Sequence, residues 1–169
     1  RAGEYSLTLS DGTRVWLNSD SEIRYPVAFG KDRRTVFLSG EAYFEVEKDA
    51  ERPFYVVLDG MEVKVYGTSF NVNTHYQGKI LTTLVEGKVG IRVKSTGAES
   101  ILQPNQMAEF NREKEKVEVT DVDTYYYTAW RGGGVVFQNE TIEEIMDRLC
   151  RWYDMEVFYA NNDVRGKRF

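Results

Sequence analysis

This 169-residue chain has a single cysteine, Cys150. No internal disulfide can form, so a cytosol and an oxidising space without bridges both remain open. It has one histidine, His75, and a metal centre of the His-rich kind cannot be built on one ligand. No apolar run approaches the roughly 18 residues that span a bilayer. The formal net charge of −5 leaves no surplus of Lys and Arg to neutralise a phosphate backbone, which argues against a nucleic-acid partner. The alternating signs of Arg112, Glu113, Lys114, Glu115 and Lys116 read as a solvated turn. No signal peptide is visible and the first residue is Arg1, so the chain reads as an excised or processed piece without its targeting information. No glycine-rich loop opens a helix as a phosphate cradle would.

What is present is short, alternating and β-rich. In Phe37–Lys48, Ala42, Phe44 and Val46 fall on one face and Tyr43, Glu45 and Glu47 on the other. That period of two predicts a half-buried strand with its charged side to water, entered through a corner at Gly40. Tyr5, Leu7 and Leu9 alternate before Asp11-Gly12, and Val15 and Leu17 after it; Phe54, Val56 and Leu58 flank Asp59-Gly60 with Met61, Val63 and Val65. Each is a hairpin signal in which both turn residues are expected at positive φ. Further short strands recur at about 8–12-residue spacing up to Val119, which fits a sandwich, a jelly roll or a solenoid-like coil. The fold class expected is mainly β: a jelly-roll-like or solenoid-like sandwich of short antiparallel strands, followed by a small partial α+β module.

The pattern changes near Thr120. Tyr125, Tyr126, Tyr127 and Trp130 precede Gly132-Gly133-Gly134, which reads as a linker packing by its aromatics and ending in a flexible hinge. Thr141 with Glu144 three residues on is a capping box. Ile142, Ile145, Met146, Leu149, Trp152 and Tyr153 then follow helical spacing up to Asp154. Flanked by Val135–Phe137 and Met155–Tyr159 as strands, this is β-α-β. The expected divisions are 1–120 as a β domain, 121–134 as an aromatic and glycine linker, and 135–169 as the start of a small, truncated α+β module.

With these pieces in place, the chain resembles the periplasmic part of the FecR family of anti-sigma factors. The matching stretches are LSDGTRVWLN (Leu9–Asn18), LSGEAYFEVEKD (Leu38–Asp49), RPFYV (Arg52–Val56), VYGTSFNV (Val65–Val72), VEGKVGI (Val85–Ile91) and LQPNQMAEF (Leu102–Phe110). Trp130–Phe169, through Phe137-Gln138-Asn139 and Leu149–Val157, is similar to the short module that starts secretins and TonB-dependent transducers. The resemblance implies a single-pass inner-membrane protein whose membrane segment and cytoplasmic sigma-binding segment lie outside this chain. Its periplasmic region would meet the signalling domain of an outer-membrane transducer, and ligand capture would free an extracytoplasmic-function sigma factor, through regulated proteolysis. No enzyme activity and no cofactor are implied.

No catalytic or metal residue emerges from the candidates. His75 reads as a surface residue and Cys150 as a buried structural thiol, with no His–Cys spacing to activate it. Glu41, Glu45 and Glu47 are the only hint of a glycosidase pair and read as a solvated strand face. Tyr125–Tyr127 and Trp130 either stack on sugars, making this a carbohydrate-binding β-sandwich, or anchor the linker. The expected protein-binding residues are the open strand edges Val135, Val136, Phe137 and Glu156, Val157, Phe158, Tyr159, whose unpaired backbone a partner strand would complete.

Overall fold

The computed structural model describes residues 4–169. Thirteen strands are laid down in order: β1 (Tyr5–Thr8), β2 (Arg14–Leu17), β3 (Glu22–Arg24), β4 (Arg34–Ser39), β5 (Glu41–Glu45), β6 (Phe54–Val57) and β7 (Met61–Val65). There follow β8 (Ser69–Asn73), β9 (Lys79–Glu86), β10 (Val89–Val93), β11 (Glu99–Leu102), β12 (Gln106–Asn111) and β13 (Lys116–Asp121). A short helix α1 (Thr124–Thr128), a 3₁₀ turn (Ala129–Gly132), helix α2 (Ile142–Tyr153) and a second 3₁₀ turn (Asn162–Val164) complete the chain.

The strands form two sheets face to face, of seven strands in the order β1-β2-β5-β8-β9-β12-β13 and of six in the order β11-β10-β7-β6-β4-β3. This is the sandwich among the expected architectures. One departure from an all-antiparallel pattern is β4 with β6, which run parallel. The chain leaves β4 for the other sheet at β5 and returns to the first only at β6. Gly40 makes that first transfer at φ 100, and a Cβ there would come within 2.6 Å of Ser21 Cα, so only glycine fits the corner. Both Asp-Gly hairpins are present, but only their glycines, Gly12 and Gly60, take positive φ. The turns are therefore not the doubly left-handed type expected for that pair.

The core lies between the sheets and is aromatic at its centre. Phe44, Phe54 and Phe70 are fully buried. Phe44 stacks on Phe70 with ring centres 5.1 Å apart and meets Phe54 edge-on at 6.2 Å. Burial of each such ring contributes about 1.5–3 kcal/mol, and ring contacts of this geometry add to it.

The two sheets differ on their outer faces. Strands β4, β7 and β10 alternate buried with part-exposed or exposed residues, as a sheet with one face in water must. Strands β5, β8 and β9 are buried on both faces. Tyr43 and Glu41, expected to face water, are 3% and 8% exposed. The cause is the segment after β13, whose α1 and 3₁₀ turn lie across the outer face of the seven-stranded sheet, with Ala129 and Trp130 buried there.

At one end of the sandwich a buried Arg34 gathers three separate segments. Its Nη1 donates to Asp11 Oδ2 and to the Glu47 carbonyl, both at 2.8 Å, and its Nε donates to the Arg52 carbonyl at 2.9 Å. The β1–β2 turn, the exit of β5 and the entry to β6 are tied to one guanidinium. Removing it leaves Asp11, itself 4% exposed in its side chain, as an uncompensated charge. Arg34→Ala is expected to cost about 3–5 kcal/mol in urea denaturation. A loss within the ~0.5 kcal/mol of an ordinary surface substitution would contradict the hub role.

Candidate docking site

The outer face of the seven-stranded sheet sets Trp16, Tyr43, Asn71, Thr83 and Met107 in one row through the registers of β2, β5, β8, β9 and β12. The segment Thr124–Gly132 reads this row. The Trp130 indole N–H donates to Asn71 Oδ1 at 3.1 Å, and Asn71 Nδ2 donates to Glu41 Oε1 at 3.0 Å. Glu41 Oε2 accepts from Asn18 Nδ2 at 2.8 Å. The Arg131 guanidinium carbon lies 4.0 Å from the Tyr43 ring centre and 4.9 Å from that of Trp16, and Arg131 pairs with Glu45 at 2.7 Å. Arg14 pairs with the other oxygen of Glu45. Indole and guanidinium from consecutive residues thus plug one polar and one aromatic socket.

The glycine run behind them is a cap, not a flexible hinge. Gly133 is left-handed at φ 74, its N–H donates to the Trp130 carbonyl at 2.9 Å, and the Gly134 N–H donates to the Ala129 carbonyl at 3.1 Å. These bonds satisfy the carbonyls that a helical turn leaves open at its end.

Beyond the cap, α2 begins at the expected capping box: Thr141 Oγ1 accepts from the Glu144 N–H, and the Glu144 carboxylate from the Thr141 N–H. Those bonds hold the Glu144 carboxyl below its ordinary value. Asp154 caps its end in the left-handed conformation. Of the helical apolar set only Ile145 is buried, and Tyr153 is 62% exposed. Arg148 anchors the helix to the strap: it pairs with Glu140, which also accepts from the Tyr126 hydroxyl at 2.6 Å, and its Nη1 donates to the Val136 carbonyl at 3.1 Å. Burial, first, and the bond to Glu140, second, push the Tyr126 hydroxyl pKa well up.

Between α2 and the sheet lies a cleft of about 570 Å³ whose walls include Ser19, Glu41, His75, Asp147, Arg151 and Trp152. His75, expected at the surface, is half-buried here with Nε2 3.2 Å from the Ser19 carbonyl; burial and the Arg151 charge lower its pKa. Cys150 is partly, not fully, buried. Glu41, Glu45 and Glu47 have three different surroundings: amide-held and buried, paired with two arginines, and exposed. They do not form the solvated face expected of them. Among the described residues no cluster of His, Cys, Asp and Glu suits a metal ion, and no helix is long and apolar enough to cross a membrane.

The segments Val135–Phe137 and Met155–Tyr159 are not strands. A strand needs a hydrogen-bonded neighbour, and these two do not pair. Val135 and Val136 pack beside Tyr126 and Trp130, and the Val136 carbonyl is taken by Arg148. The bridge in this part joins Thr141 to Arg168, with the Phe169 N–H donating to the Glu140 carbonyl at 3.0 Å. Phe137 lies under the Arg148 guanidinium and Tyr159 under that of Arg165. Glu156, Val157 and Phe158 remain exposed, Phe158 at 90%. Tyr153, Met155 and Phe169 are also at least half exposed.

Sequence reasoning missed Glu41, Asn71 and Asn18 as a unit. The available signal was asparagine at 71 and 73 inside an alternating strand, where that residue is depleted, with a tryptophan further on to meet it.

A two-sheet sandwich carrying a strapped-on helical unit is the class these elements define. The family profile described as FecR protein matches residues 1–90, and that described as FecR, C-terminal, matches residues 134–169. The chain belongs to the FecR family of anti-sigma factors. Two crystal structures of presumptive anti-sigma factors from Parabacteroides distasonis are similar. One is 31% identical over 99% of this chain and 79% of that one, with a TM-score of 0.88. The other is 33% identical over 92% of this chain and 72% of that one, with a TM-score of 0.83. No curated protein sequence matches.

Burial raises the Glu41 pKa above its ordinary 4.5, opposed by the bonds from Asn71 and Asn18. The folded protein then holds this proton more tightly than the unfolded chain, so this group's contribution falls as pH rises from its unfolded value through the raised one. Measured by thermal unfolding between about pH 4 and pH 8, the wild type should lose stability relative to Glu41→Gln as pH rises. Parallel curves for the two proteins would contradict this.

Proposed function

We propose that this chain is the periplasmic signal-receiving region of a membrane-anchored anti-sigma factor, relaying a signal from an outer-membrane TonB-dependent transducer to an extracytoplasmic-function sigma factor. Family membership supports the anti-sigma role, and the family belongs to a regulatory, non-enzymatic class. The membrane segment and the sigma-binding segment would lie outside these residues. Residues 1–120 serve as the scaffold, 121–134 as a strap and 135–169 as the receiving unit.

One observation carries this reading: the last unit, tied to the strap through Glu140, Tyr126 and Arg148, holds Tyr153, Met155, Phe158 and Phe169 half exposed or more. Several large apolar side chains left exposed on one small unit support a protein contact there. The partner's signalling domain covers Glu156, Val157, Phe158 and Tyr159, or the segment Val135, Val136 and Phe137. The contact is made by side chains, not by adding a strand.

The test is calorimetric binding of the purified transducer signalling domain. Phe158→Asp should weaken it by about tenfold or more with the melting temperature unchanged, since Phe158 is 90% exposed. Unchanged affinity in Phe158→Asp and in Val157→Asp would remove this surface from the relay. The sugar-stacking alternative loses Trp130, which is 7% exposed with its indole N–H already bonded to Asn71.

A further inference from the structure

The opposite side of the sandwich carries a second, unrelated feature. On the outer face of the six-stranded sheet, the register sets Tyr55, Lys64, Gly90 and Ile101 in one row across β6, β7, β10 and β11. The next row sets Glu62, Arg92 and Glu99 side by side. A groove of about 460 Å³ runs over them, with Arg33, Tyr66 and Lys88 on its rim. That volume falls within the roughly 300–1,000 Å³ of small-molecule sites.

Three properties of this groove are not explained by folding. The first is Gly90. It sits in a strand interior, where glycine costs stability relative to alanine by about 0.5–1 kcal/mol. Its backbone is not left-handed, and a Cβ there would meet nothing nearer than the Lys64 carbonyl oxygen at 3.6 Å, an ordinary contact. The fold accepts a side chain at this position; the glycine keeps the floor of the groove open, as at places where a ligand approaches a strand closely.

The second is charge. Arg92 is taken by Glu62, with Nε and Nη2 donating to one carboxylate oxygen at 2.9 and 2.7 Å. Arg33, Lys64 and Lys88 have no carboxylate partner among the described residues. Four cations face two carboxylates here, in a chain whose net charge is −5.

The third is the tyrosines. Lys64 Nζ lies 5.8 Å from the Tyr55 ring centre and 5.5 Å from that of Tyr66, and the Arg33 guanidinium lies 5.2 Å from Tyr55. Tyr66 is 47% exposed. Amphipathic rings alternate with cations along the groove.

We propose that this groove binds a short stretch of an anionic saccharide chain. The tyrosine rings stack on sugar faces, Arg33, Lys64 and Lys88 meet the acid groups, and Gly90 admits a ring to the floor. A peptide added as a strand would join the free edge of β11, beside the groove, and would not lie over β6, β7 and β10, which are interior strands paired on both edges. A helix is disfavoured because the central row of the groove is interrupted by Lys64 and Gly90 between Tyr55 and Ile101, which breaks the continuous apolar stripe that such a partner buries. The site is independent of the receiving unit on the other face and of the function proposed for it.

The experiment is isothermal titration of the whole chain with oligogalacturonate and with a sulfated heparin-derived oligosaccharide, against maltohexaose and poly-L-glutamate. At least one anionic oligosaccharide should bind, at least about tenfold more tightly than the neutral one, and more weakly as salt rises. Gly90→Val should reduce that affinity about tenfold or more by filling the floor, and Lys64→Ala likewise. Lys116→Ala, the same charge loss on β13 of the other sheet, should leave it unchanged. Tyr66→Ala gives a reading without altering a strand interior, should Gly90→Val shift the melting temperature. Absence of binding by both anionic oligosaccharides, equal binding by Lys64→Ala and Tyr66→Ala, or equal or tighter binding of poly-L-glutamate would each overturn the proposal.

Discussion

A relay of hydrogen bonds from the Trp130 indole through Asn71 to Glu41 and on to Asn18 is the constraint on which the rest of this architecture depends. A carboxyl on a covered sheet face is costly unless its oxygens are met. Here each oxygen accepts from a different asparagine, and Asn71 is left with a carbonyl oxygen that one indole N–H satisfies. If the strap lifts, the Trp130 indole N–H and Asn71 Oδ1 lose each other as partners, and the Asn71–Glu41 pair loses its cover. The Trp130–Asn71 bond sets where residues 124–134 dock on the sheet, and Arg131 over Tyr43 and Trp16 fixes their direction along it.

That constraint explains why the two outer faces of the sandwich are differently covered. The seven-stranded sheet is a support: its outer row is consumed by the strap, and through Glu140, Tyr126 and Arg148 the strap holds α2. A unit so held presents its exposed apolar residues at a fixed angle. The six-stranded sheet has no such cover, so its outer face remains free for the cation and tyrosine groove. In this FecR-family chain the strap and the groove therefore use the outer faces of different sheets.

Much of the sandwich was legible because strand alternation and Asp-Gly pairs are local signals. Phe54 to Leu58 and Met61 to Val65 were readable as a hairpin from sequence alone, although the turn's backbone was not, since Asp59 does not need the left-handed conformation that Asp-Gly commonly adopts. The capping box at Thr141 and Glu144 was likewise local and correct. What failed was whatever depended on a distant partner. Alternation in Glu41–Glu47 says that Tyr43 points away from Phe44; it does not say what lies on the other side, and the residue that covers its ring, Arg131, comes 88 positions later. Gly132–Gly134 reads as a hinge by composition and acts as a cap because Trp130 and Ala129 are docked. Val135–Phe137 and Met155–Tyr159 have strand composition but no paired neighbour, and the Val136 carbonyl goes to Arg148 instead. The groove over Gly90 was invisible for the same reason: a glycine in a strand gains meaning only when its cross-strand neighbours are known.

Exchange of the Trp130 indole proton, followed by NMR in deuterated buffer, measures the docked strap most directly. With the indole N–H bonded to Asn71 in a closed seam, it should be protected to the level of the central amides of β5 and β8, and Asn71→Ala should release it selectively. An indole proton that exchanges as fast as that of a free tryptophan, while those amides stay protected, would show the strap open and contradict this account.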